Sequence, residues 1–258
     1  FIGAGTNLKF YVLSGNFPED ITPIRATNQA VTFTAGGVGT NALTVNDIAH
    51  GALLGDFVTF SGAVSLGGNI TAAVLNIEYQ ITGITSSDAY IVTTAVAIGA
   101  GDTGNGGVNS KAEYQINTGL DTVILGGGWG AGPWSRLGWG SETNAGPWND
   151  PNRGWGDAAN VQIAGASLRL WSQDNFGEDL IMCIRGGGIF YWDLSSGVTN
   201  RAVALSSLTG NAIPTVANIV LVSEKDRHVI AFGCDPEGDP GVQNPLTIRF
   251  SDQESATE

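Results

Sequence analysis

The groups in this sequence that could do chemistry are a few carboxylates, two imidazoles, two thiols and some glycine-flanked amides. Glu178, Asp179 and Asp193 lie close in the chain. Cleaving a glycosidic bond needs two carboxyls that face one bond, and spacing alone pairs none of these three. His50 and His228 are the only histidines. His50 precedes a glycine in a tight loop and His228 falls in a hairpin, and neither has the serine or cysteine context of a nucleophilic triad. Cys183 and Cys234, the only cysteines, make no disulfide framework and have no metal-ligand spacing, so free buried thiols are expected. "GAGDTG", residues 99–104, matches the dinucleotide pattern G-x-G-x-x-G after an expected strand. That chemistry requires a helix next, to receive the pyrophosphate, and "NGGVNSKAEYQI" cannot open one. "DPEGDPG", residues 235–241, could offer carboxylates to calcium but lacks the ligand spacing of an EF-hand loop. It reads as a proline-rigidified surface loop. No cofactor and no metal are expected.

"SQDNFGED", residues 172–179, partly resembles the aspartate box of sialidase propellers, but Gly177 falls one place late and the closing aromatic is absent. Even a complete box is a structural turn. The tryptophans are the remaining candidates. Trp129, Trp134, Trp139, Trp148 and Trp155 hang on a glycine-rich segment punctuated by Pro133, Pro147 and Pro151. Ordering glycine costs the most backbone entropy, so something must hold this segment. A sugar-binding face displays its rings from rigid strands, whereas rings on glycine become ordered by insertion into packed grooves. The preferred reading is a strap plugged into its own domain or a neighbouring subunit. A carbohydrate platform is the alternative.

The elements that carry these residues look like short strands. Charged residues are 14% of the 258, glycine fills 38 positions, and threonine alternates with apolar residues. That pattern predicts an all-β chain with many turns. Eleven basic against 24 acidic residues give a formal charge of −13. Such a chain is a poor candidate to grip DNA, although an acidic wall could surround a duplex and let it slide. No run approaches a transmembrane helix, and no basic-then-apolar signal segment is present. From Val31 to about Val108 basic residues almost vanish, and five or six short strands suggest a small barrel or sandwich. Residues 31–111 are therefore read as an insertion into a larger body made of 1–30 and 112–258. In that body "WSQD" at 171–174 and "FSDQ" at 250–253 look like one repeated corner, as in the antiparallel blades of a β-propeller. The abrupt ends read as a portion of a longer chain.

Together "LKFYVLSG" with "DITPIR", "GWGAGPW" with "GWG", "LRLWSQDNFGEDLIMCIRGGGIFYWD", and "VLVSEKDRHVIAFGCDP" leading to "IRFSDQE" resemble the tail nozzle or tail tubular proteins of short-tailed bacteriophages. The resemblance covers most of 8–30 and 112–254. It implies a β-propeller-like body and a virion structural protein without enzymatic activity, assembled in the bacterial host cytoplasm. The implied partners are copies of itself in a ring of six, the tail adaptor, other tail proteins and the host envelope. DNA would pass through the ring without specific binding. The alternative function is a carbohydrate-binding, tailspike-like receptor module.

Overall fold

Threonine–apolar alternation broken by glycine turns gives short strands, and among the described residues strands are nearly all that forms. The structure, a computed structural model, describes residues 2–6, 8–15, 17–116, 122–125, 162–166, 170–210 and 212–257. Among these, helix is confined to α1 (Ala72–Leu75) and two single 3-10 turns, Leu194–Ser196 and Leu205–Ser207. The strands form five antiparallel sheets. The protein is all-β, as its composition predicts. It divides into two compact units, Phe1–Thr118 with Trp171–Glu258, and Gly119–Leu170.

The first unit opens with a meander of β1 (Ile2–Gly5), β2 (Phe10–Ser14) and β3 (Phe17–Asp20). Seven strands follow: β4 (Ile24–Gln29), β5 (Thr32–Ala35), β6 (Ala42–Asn46), β7 (Phe57–Ser61), β8 (Glu78–Ser86), β9 (Ala89–Thr93) and β10 (Lys111–Gln115). They form one sheet in the order β4-β10-β7-β8-β9-β6-β5. Alternate residues of its strands enter one core, among them Phe33, Leu43, Val58, Ile81, Tyr90 and Tyr114. A single core means that the sheet coils about itself. Irregular register along β8, near Gly83 and between Ile84 and Ser86, supplies part of the bend. The ladder stays open, but Val31 N–H donates to Ser110 O (3.3 Å) and Phe33 N–H to Asn105 O (3.0 Å), drawing β5 toward the segment that precedes β10. β4 and β10, which carry the chain into and out of this region, are paired neighbours.

The second unit contains the antiparallel pair β11 (Thr122–Leu125) and β12 (Gln162–Ala166).

Back in the first unit, β13 (Trp171–Phe176), β14 (Asp179–Ile184), β15 (Ile189–Trp192) and β16 (Val203–Ala204) make a second meander. A third comprises β17 (Ile219–Val222), β18 (Val229–Phe232) and β19 (Ile248–Phe250). The three meanders stack face to face, and β14 explains how. Its side chains alternate between faces, so Leu180, Met182 and Ile184 join Phe10, Val12 and Ile21. Ile181 and Cys183 instead join Val220, Val222, Val229 and Ala231 of the third meander. A strand covered on both faces should read as a continuous apolar run, and "LIMCI" does.

Polar side chains of β13 clasp both neighbours. On one face Trp171 Nε1 donates to Thr6 O (2.8 Å) and Gln173 Nε2 to Gly3 O (2.9 Å). On the other, Ser172 Oγ accepts from Val220 N–H (2.9 Å) and Asp174 Oδ2 from Val222 N–H (2.8 Å). Gly5 is required here, because a Cβ on it would sit 2.3 Å from the Trp171 indole. A mixed ionic cluster ties the meanders to the seven-stranded sheet. Lys9 and Arg201 each pair with both Asp20 and Glu78.

Candidate functional site

The groups that could do chemistry are largely occupied by the protein itself. In "GAGDTG" the amides cradle the motif's own aspartate. Asp102 accepts from Gly99 N–H (2.7 Å), Ile70 N–H (2.9 Å) and Gly68 N–H (3.0 Å). Burial pushes its pKa up, but these amides outweigh that and hold it below the usual carboxylate value. The glycines let two loops touch, since a Cβ on Gly104 would lie 2.9 Å from Leu66 O and one on Gly68 would lie 2.8 Å from Asp102 Oδ1. The motif is a loop-to-loop clamp.

"DPEGDPG" differs from the expected surface loop in one respect. Pro236–Gly241 is exposed or half-buried, but Asp235 is fully buried. Its carboxylate accepts from Thr215 Oγ1 (2.6 Å), Thr215 N–H (3.0 Å), Val216 N–H (3.3 Å) and Gly241 N–H (2.9 Å). Burial raises its pKa, yet these donors bring it below the ordinary value. Protein donors fill the positions that a cation would need.

The three acidic glycosidase candidates do not converge on a cleft. Glu178 is exposed in the β13–β14 turn. Asp179 accepts from the Tyr191 hydroxyl and from Leu194 N–H (3.0 Å). Asp193 caps a 3-10 turn, accepting from Ser195 N–H (2.7 Å) and Ser196 Oγ (3.0 Å). The histidines are likewise engaged. His50 Nε2 lies 3.1 Å from Ser86 O, and its Nδ1 accepts from Ala52 N–H (2.9 Å), which fixes the Nε2–H tautomer. His228 Nδ1 donates to Ser251 O (2.7 Å). Cys183 and Cys234 are free and buried, and burial pushes the Cys183 thiol up to about 12. Among the described residues no three His, Cys, Asp or Glu side chains are grouped to hold a metal ion. No described helix is long and apolar enough to cross a membrane.

The repeated corner expected from sequence is not one: residues 171–174 lie within β13, whereas 251–253 follow the end of β19. Ser172 and Asp174 bond across to the next meander, whereas Ser251 Oγ accepts from Val229 N–H (2.9 Å) within its own. Trp129, Trp134, Trp139, Trp148 and Trp155 lie outside the described residues.

The described residues also form an open depression that no motif announced. A groove of about 920 Å³ runs between the β4–β5 bend, the loop after β6 and the β8–β9 turn. Asn28, Gln29, Asp47, Ile48 and Asp88 line it. Sequence reasoning missed it because its residues come from three separated segments, none carrying a motif.

No protein-family model matches the chain, and no curated protein matches it. Among solved structures it is similar to one described as "Phage phi92 endosialidase", at 12% identity and a TM-score of 0.25. The match covers 97% of this chain and 36% of that one, so the chain spans about a third of that protein's length.

Proposed function

We propose that this chain is a wall element of a phage tail, of the nozzle or tail-tube kind, with a structural and not an enzymatic role. The resemblance of its sequence to that family supplies the virion setting. One structural observation supports assembly. The outward face of the third meander presents Ile219, Leu221, Ile230, Phe232, Ile248 and Phe250, all apolar, with Phe250 75% and nearby Leu246 91% exposed. A solvated antiparallel face should carry polar residues, so an apolar one calls for a further layer. The middle meander has the same two-faced apolar character, and there a three-stranded meander of the same chain covers it.

In the proposed ring the cover is the next copy. At the opposite end of the stack, the cross-strand partners Ile2 and Leu13 are exposed on the outward face of the first meander. Two different apolar faces suit the head-to-tail contacts of a cyclic assembly. The family resemblance selects six copies, and an acidic lumen would let DNA pass without gripping it. In this reading the stacked meanders are blades of a propeller-like body, residues 31–111 are an inserted small β domain, and the five strap tryptophans hold the body or a neighbour. Tail adaptor, other tail proteins and host envelope are the further contacts.

Native mass spectrometry of the wild-type chain and of an Ile248→Asp/Phe250→Asp variant tests the contact. Multimers of the wild type and monomers of a folded variant are expected. A wild type that is monomeric at all concentrations, or a variant that assembles as well, would overturn it. A carbohydrate-binding role is the second reading, and the groove on the seven-stranded sheet, lined by both polar and apolar side chains, favours it.

A further inference from the structure

The groove is built at a cost in backbone conformation. Ala30 and Ala49, both on its wall, have left-handed φ values of 56° and 54°. Left-handed backbone in a residue with a Cβ is unfavourable, and such positions gather at ligand sites. Neighbouring groups hold the conformation in place. Asp47 N–H donates to Asp88 O (2.9 Å), and Ala49 N–H donates to Asp88 Oδ1 (2.9 Å).

The floor is a supported carboxylate. Asp47, 8% exposed, accepts through Oδ2 from Asn28 Nδ2 (2.8 Å) and from the Tyr114 hydroxyl (2.5 Å). Tyr114 in turn stands 2.9 Å from the Tyr90 hydroxyl, and Tyr90 packs edge-on against His50. Burial pushes both phenols well above their ordinary values, so they remain hydroxyls. The network fixes Asp47 and Asn28 before anything binds. Asp47 Oδ1, Asn28 Oδ1 and the Gln29 amide make no hydrogen bond among the described residues. Ile48, 83% exposed, stands on the wall beside them.

This combination selects a ligand class. Two carboxylates and no lysine or arginine line the groove, so phosphate and carboxylate ligands are repelled. Adjacent oxygen acceptors and amide donors match groups that both donate and accept, which hydroxyls do. An exposed aliphatic side chain matches a C–H surface. We propose that the groove binds a neutral glycan, with Asp47 Oδ1 and Asn28 Oδ1 accepting from neighbouring hydroxyls, Gln29 bonding a third, and Ile48 under the sugar's carbon face. The assignment rests on the carbohydrate-binding reading of this groove and is independent of the ring, because it concerns a different surface.

Backbone-amide NMR titration of the full chain tests it, with maltoheptaose, chitotetraose and dextran fragments as neutral probes. Polysialic acid and a trilysine peptide serve as charged probes. At least one neutral probe should shift residues 27–30, 46–49 and 86–89 together, with little salt dependence. Gln29→Ala and Ile48→Ala, at exposed positions that leave the fold intact, should each weaken that binding about fivefold, a loss comparable to one modest contact. Neutral probes that leave these residues unmoved would overturn the proposal. So would binding that ignores both substitutions, or a groove that takes up trilysine or polysialic acid in preference.

Discussion

Asp235 carries more structural weight than any other acidic side chain in its region. Replacing it with alanine strands the N–H groups of Thr215, Val216 and Gly241. Hydrogen bonds to a charged group are worth more than neutral ones, although water can reach the half-buried Thr215 and Val216 and the exposed Gly241. Asp235→Ala should therefore lower unfolding free energy by on the order of 2 kcal/mol. Chelator should leave the melting temperature of the wild type unchanged, because protein donors fill the carboxylate. Thermal denaturation with and without EDTA checks both, and a calcium-dependent melting temperature would restore the cation reading. Acid sensitivity follows from the same bonding. For Asp20, Asp102 and Asp235 burial raises the pKa, but hydrogen-bond donors outweigh it, and all three lie below the ordinary carboxylate value of 3.8. Their contribution is fully present above 3.8 and is lost as pH falls through the lower folded values. Urea midpoints should therefore hold from neutral pH to about pH 5 and drop below about pH 4. A midpoint flat to about pH 2 would contradict this. Little of this bonding was legible beforehand. A glycine pattern announces close backbone approach, but only the fold shows that Asp102 occupies the cradle.

At the level of elements, β14 joins three meanders through alternate side chains, and truncations on its two faces should separate their effects. Met182→Ala removes contact with the first meander and Ile181→Ala with the third. Each should cost about 2–5 kcal/mol, the range for large-to-small changes in packed cores. Hydrogen exchange should then rise in β1–β3 for the first variant and in β17–β19 for the second. Equal rises in both meanders for both variants would show that the stack unfolds as one piece. Of this stack, β14 was readable in sequence, since "LIMCI" is apolar at both parities, whereas "WSQD", read as a corner, opens the strand β13. The clasp was not, because the same letters at "FSDQ" bond within their own sheet. The groove was hidden for another reason. Its left-handed turns fall on Ala30 and Ala49, where no glycine marks them.

For the whole molecule, the proposed ring rests on an acidic chain and on apolar outward faces at both ends of the meander stack. A permanent head-to-tail contact of this kind should bury on the order of 2,000 Å². The inward surface should be acidic or neutral, since many basic contacts would hold a duplex and slow its passage. Single-particle imaging of the assembled protein tests this most directly. The expected result is a closed ring, six-fold in class averages, with β17–β19 of each copy against β1–β3 of the next and few basic residues on the channel. Isolated monomers, or copies joined with the β17–β19 face left open to solvent, would contradict it.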